Sequence, residues 1–144
     1  MENNLEELRK VFVKKPISLA FLFGSRIQGN VNNFSDYDIA ILIEENFYQK
    51  NNINPPTILN LKMDLLDELF RFFKSENVDL IILNEAPIFL QYKIIRYGKL
   101  IFSPDLSSLY RFKAQVVSEF LDFSSIFNFY CKSLNKKYGV LYDG

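Results

Sequence analysis

Gly24-Ser25, a gap of ten residues, and then Asp36-Tyr37-Asp38 form the one constellation in this chain that ordinary packing does not require. Residues two apart on an extended strand project to the same side, so Asp36 and Asp38 present two carboxylates together while Tyr37 and Ile39 face away. Paired hard oxygens of this kind suit Mg2+, which takes one or two carboxylates, several waters and the oxygens of a substrate phosphate. Two such ions about 3.5–4 Å apart can clamp both the attacking and the leaving oxygen of a displacement at phosphorus. Gly24 lets backbone amides approach an anion closely, and the Ser25 hydroxyl adds a donor. The segment from Arg26 to Asn30 can start a short helix whose N-terminus favours phosphate. A Gly-Ser dipeptide alone ends strands in countless proteins. Here specificity comes from its combination with the spacing, the DxD and the apolar strand on either side.

A third carboxylate, Asp79, heads Val78-Asp79-Leu80-Ile81-Ile82-Leu83. Spacing alone leaves it open between a solvated strand end or turn cap and a site residue. Beside the DxD the balance moves to function, because a third acid completes a ligand shell or accepts the proton of an incoming hydroxyl. Arg26, just after the phosphate turn, is a candidate phosphate contact. Lys93 and Arg96 are weaker ones, since most single basic residues are merely solvated. Tyr92 and Tyr97 read as packing residues rather than base stackers.

These residues need a scaffold, and the apolar periodicity supplies one. Ile17–Phe23 and Tyr37–Ile43 read as strands, with the Asp79 segment and Leu100–Phe102 as two more. Helical spacing marks Asn4–Lys14, ended by Pro16, then Thr57–Lys74, and a helix opened by Pro87 and stopped by Gly98. Glu44–Pro56, polar, Asn-rich and closed by two prolines, is expected to be a surface loop. The predicted order is α, β, short α, β, α, β, α, β, α, without repeats or a low-complexity linker.

The last helix, about 104–136, carries Leu109, Phe112, Val116, Phe120, Phe123, Phe127, Tyr130 and Leu134 at alternating three- and four-residue steps. Such a stripe normally faces a core. Val117, Leu121, Ile126 and Phe129 add apolar surface beyond it, which predicts that part of this helix packs against another chain, a self-copy or a partner protein. The alternative is a helix wedged wholly into its own domain.

At 144 residues the chain is sized for one domain with an adequate core. One cysteine, Cys131, excludes an internal disulfide and fits a reducing cytoplasm; in its helical setting it reads as a packed thiol. The absence of His removes zinc-hydrolase schemes and every His-based triad. Lys plus Arg balance Asp plus Glu at 17 each, which argues against a long nucleic acid as the direct substrate. No apolar run is long enough for a bilayer, so a soluble, intracellular protein is expected.

The stretch GSRIQGNVNNFSDYDIAILI followed by VDLIIL resembles the minimal nucleotidyltransferases of the DNA polymerase beta superfamily. Element order, length and the tail RFKAQVVSEFLDFSSIFNFYCKSL look like the MntA group, the antitoxin half of a toxin–antitoxin pair. The resemblance implies an α/β (α+β) polymerase-beta-like fold, a small mixed sheet flanked by helices with a long C-terminal helix. It implies a single domain over 1–144, with a core of about 1–103 and a helical segment of about 104–137. It further implies transfer of AMP from ATP to a tyrosine of a HEPN-domain toxin. In that scheme Asp36, Asp38 and Asp79 are catalytic and hold two Mg2+ ions, and Gly24, Ser25 and Arg26 seat the triphosphate. Lacking His, the chain would be the partner of such a toxin and not the toxin. Two other readings stay open: a nucleotidyltransferase acting on a small molecule such as an aminoglycoside, and an antitoxin that binds without catalysis.

Overall fold

A computed structural model describes residues 2–24 and 37–138. The order is α1 (Glu2–Val13), β1 (Ile17–Phe23), β2 (Tyr37–Ile43), α2 (Glu45–Asn51), α3 (Pro55–Phe73), β3 (Val78–Ile82), a 3-10 turn (Leu83–Glu85), α4 (Ile88–Tyr97), β4 (Lys99–Phe102) and α5 (Leu106–Tyr138). The four strands make one mixed sheet in the order β3-β2-β1-β4. β1 is antiparallel to both of its neighbours, and β2 and β3 run parallel. This is the α+β architecture expected, and it places the Asp79 strand directly beside the DxD strand.

Strand alternation divides the core into two layers. Ile39, Ile41 and Ile43 of β2 join Val78, Leu80 and Ile82 of β3 against Leu8 and Phe12 of α1 and Leu65 and Leu69 of α3. On the other face Leu19 and Phe21 of β1 and Ala40 of β2 meet Ile94 of α4 and Leu109, Phe112 and Val116 of α5. Helices on both faces leave the sheet interior dry, and no buried polar or charged residue occurs among the described residues. β2 is finished by a side chain: the Ile43 amide donates to Asn84 Oδ1 at 2.8 Å, and Asn84 Nδ2 donates back to the Ile43 carbonyl at 3.0 Å. Asn84 thus supplies, just past the end of β3, the pair of bonds that a further strand residue would make.

The expected loop at 44–56 is instead largely helical. α2 forms because Phe47 and Tyr48 pack against the α1/α3 side of the core, with the Tyr48 hydroxyl donating to Glu85 at 3.1 Å. Tertiary anchoring outweighs an Asn-rich composition with weak helix propensity. The short helix expected after the phosphate turn falls outside the described residues. The long final helix is present, but only the first part of its apolar stripe is core. Leu109, Phe112 and Val116 are buried, whereas Phe127 and Tyr130 on the same stripe are exposed. Among the described residues, no helix is long and apolar enough to cross a membrane.

Candidate active site

The site is built where β1 ends and where β2 and β3 begin. Asp38 lies directly across from Asp79 in the parallel ladder, so the two carboxylates leave the same face of neighbouring strands, which run about 4.8 Å apart. Tyr37 fixes this parity. It stacks on Phe73 of α3 with ring centroids 3.9 Å apart, which holds it on the α3 face and leaves Asp38 on the opposite one. Two residues further along each strand, Ala40 and Ile81 belong to the core layer beneath α4 and α5. The acids themselves stand at its margin, with Asp38 half-buried and Asp79 exposed.

Gly24 completes the described part. Phe23 pairs across the ladder with Asp38, which brings the following residue against the Asp38 side chain. Gly24 has a φ of +98°, and a Cβ there would overlap Asp38 Oδ2 and sit 2.9 Å from its Cγ. Its missing side chain is therefore the space in which the Asp38 carboxylate rests. The sequence gives a reason for Gly at a phosphate turn but does not reveal this second demand. A glycine closing a strand that is antiparallel to a DxD strand is the only signal for it.

Ser25, Arg26 and Asp36 lie outside the described residues. Among the described residues, no three His, Cys, Asp or Glu side chains gather into a ligand cluster; the pair in register is Asp38 and Asp79. The donor set nonetheless suits a hard divalent cation. Two carboxylates leave one face side by side, a third stands two residues before Asp38 in the sequence, and no thiol or imidazole competes.

Lys93 and Arg96 sit exposed on α4. Arg96 is occupied by two aromatic neighbours: its Nη1 donates to the Tyr92 hydroxyl at 3.1 Å, and its guanidinium lies 5.3 Å from the Tyr97 ring centre. The Tyr92 hydrogen bond, followed by the electrostatic influence of Tyr97, raises its already high pKa further. Tyr92 packs flat on Phe120 of α5 at 3.8 Å, whereas Tyr97 is largely exposed. A cleft between α1 and α3, lined by Lys10, Lys14, Lys15, Glu68 and Arg71, lies on the opposite side of the sheet from the acids. It is spanned by a 3.0 Å Lys15–Glu68 ion pair.

A strand-closing glycine of positive φ beside two in-register carboxylates, on a sheet whose second and third strands run parallel, fits a nucleotidyltransferase. The model of the family described as Polymerase beta, Nucleotidyltransferase matches residues 6–107, and the chain belongs to that family. Over 101 residues, 70% of this chain and 67% of the relative, it is 29% identical to the protein adenylyltransferase MntA of Aphanizomenon flos-aquae (strain 2012/KM1/D3). Its fold matches a toxin–antitoxin structure with AMP-PNP at a TM-score of 0.63 and 22% identity, covering 92% of this chain and 97% of that one. A complex of an MNT antitoxin with the tri-AMPylated HEPN toxin of Shewanella oneidensis is similar at a TM-score of 0.62 and 19% identity, covering 92% and 97%.

Proposed function

We propose that this nucleotidyltransferase moves AMP from ATP to a tyrosine hydroxyl of a cognate HEPN-type toxin and thereby acts as its antitoxin in the cytoplasm. The observation that carries the proposal is the pair Asp38–Asp79 in register at the starts of two neighbouring parallel strands, with Gly24 closing against it. The likeness to an MntA adenylyltransferase supports the choice of donor and acceptor.

In the reaction, the acceptor oxygen attacks the α-phosphorus of ATP. A new P–O bond forms, the bond from that phosphorus to the bridging oxygen breaks, and pyrophosphate leaves. Asp36, Asp38 and Asp79 would hold two Mg2+ ions, which when bound neutralise charge on the triphosphate and on the leaving group. Asp79, the more exposed of the two described acids, completes the ligand shell or takes the hydroxyl proton. Gly24, Ser25 and Arg26 seat the β- and γ-phosphates, through backbone amides, a hydroxyl and a guanidinium respectively. Catalysis is then mostly positioning and charge neutralisation.

Co-expression with a candidate HEPN-type toxin, followed by intact-mass spectrometry of that partner, tests this directly. One or more added AMP units on a tyrosine is the expected result. An unmodified partner that is nevertheless silenced would make the chain a binding antitoxin. An unmodified and active partner, together with modification of an aminoglycoside, would move the acceptor to small molecules.

A further inference from the structure

α5 outruns the domain that it covers. It runs antiparallel to α4: Phe120 meets both Tyr92 and Phe89, and Phe123 meets Phe89 at 4.8 Å, close to the first residue of α4. Past Phe123 about 22 Å of helix remains, and the family match stops at residue 107, near the start of α5. The overhang is apolar: Ile126 is 69% exposed, Phe129 74% and Tyr130 59%. It also departs from the end of the sheet opposite the acids. α4 begins just after the turn that follows the C-terminal end of β3, and Gln91 donates to Leu83 and Ala86 of that segment.

The charges flanking and ending this overhang are ordered. Glu119, which accepts from Gln115 Nε2 at 3.1 Å, and Asp122 lie just before it, and Lys132, Lys136 and Lys137 at its end. One stripe, Glu119, Phe123, Ile126, Tyr130, Ser133 and Lys137, recurs at alternating steps of four and three, the spacing of a two-helix seam. Read against its own reverse, this stripe matches itself. When Ile126 faces Tyr130 of a second copy, Phe123 faces Ser133 of that copy and Glu119 faces its Lys137, and the same pairs repeat across the two-fold axis. A parallel pairing would instead set Glu119 against Glu119 and Lys137 against Lys137.

We propose that the occupant of this face is a second copy of the chain, joined through α5 as an antiparallel two-fold pair centred near Asn128. Such an isologous contact buries the apolar patch twice with one surface. It leaves both acid edges pointing outward, where two acceptor proteins can reach them at once. The proposal does not depend on the acceptor or on the reaction.

The full chain is measured by sedimentation equilibrium across a concentration series, with circular dichroism confirming the fold of each variant. The wild type is expected at twice its 17.0 kDa chain mass, and Ile126→Asp at the single-chain mass with unchanged helix content. Glu119→Lys and Lys137→Glu should each weaken pairing about three- to tenfold, and the double exchange E119K/K137E should restore it. A monomeric wild type overturns the proposal. So does a dimer indifferent to Ile126→Asp, or a double exchange as weak as the single changes. If Ile126→Asp leaves the mass unchanged but abolishes co-purification of a partner protein, the face belongs to that partner and the self-pair is refuted.

Discussion

The two faces of the β2–β3 pair are made by the same residues in alternation, yet they serve opposite ends. On the α1/α3 face Ile39, Ile41, Val78, Leu80 and Ile82 are all buried, with Leu65 and Leu69 wholly excluded from water above them. On the other face the cover given by the described residues ends after Ala40 and Ile81, and the next position outward on each strand is an aspartate. Stability is concentrated where both layers are closed. The candidate site lies where one layer stops, and a carboxylate exposed there, as Asp79 is, can exchange its hydration for ions and substrate. The contrast explains how two acids can sit side by side without either being fully buried.

The sharpest way to break this contrast is Asp38→Asn. Transfer of AMP should fall by about a thousandfold, while the unfolding free energy moves by less than about 1 kcal/mol in denaturant titration. A comparable loss of stability would mean that the acid is structural. Leu69→Ala tests the opposite face. It should cost about 2–5 kcal/mol of stability, and the fraction still folded should retain wild-type turnover. Gly24→Ala lies between the two, because it strains a left-handed backbone and drives a methyl group into the Asp38 carboxylate. We expect a loss of about 1–3 kcal/mol together with reduced activity, and Gly24→Ser should be no milder.

Smaller effects sharpen the same division at the far ends of the layers. Asn84→Ala strips both bonds from the Ile43 backbone and should cost about 1–3 kcal/mol with KM for ATP unchanged. Asp105 caps α5 by accepting from the Ser107 amide and hydroxyl. The Ser107 hydrogen bonds hold its carboxyl below the usual pKa. A depressed folded-state pKa gives stability that is complete above the unfolded carboxylate value and disappears as pH falls through the folded one. Asp105→Ala should therefore lower the thermal midpoint slightly at neutral pH, and the difference from wild type should vanish in acid.

The local pattern was readable because alternation is local. β1, β2 and the Asp79 strand stand out from apolar runs bounded by turn residues, and Asp36-Tyr37-Asp38 announces two acids on one side. That Asp79 lies opposite Asp38 depends on strand order and register, which the sequence leaves conditional. The same holds for Gly24: its fit against Asp38 is a cross-strand relation, invisible in the residues on either side of it. α2 was missed because a helix this short shows too little periodicity, and its two anchors, Phe47 and Tyr48, matter only for what they touch. In α5 the spacing showed which side is apolar but not where the domain beneath it ends. Leu109 and Tyr130 therefore look equivalent in the sequence and differ completely in burial.

The central claim is tested most directly by offering the enzyme and its partner ATP labelled at either the α- or the γ-phosphate, with Mg2+ present. The account predicts that α-label becomes covalently attached to the partner, that γ-label is released as pyrophosphate, and that Asp38→Asn abolishes both. Attachment of γ-label would contradict it, because the two acids would then serve a phosphate transfer and not the transfer of AMP.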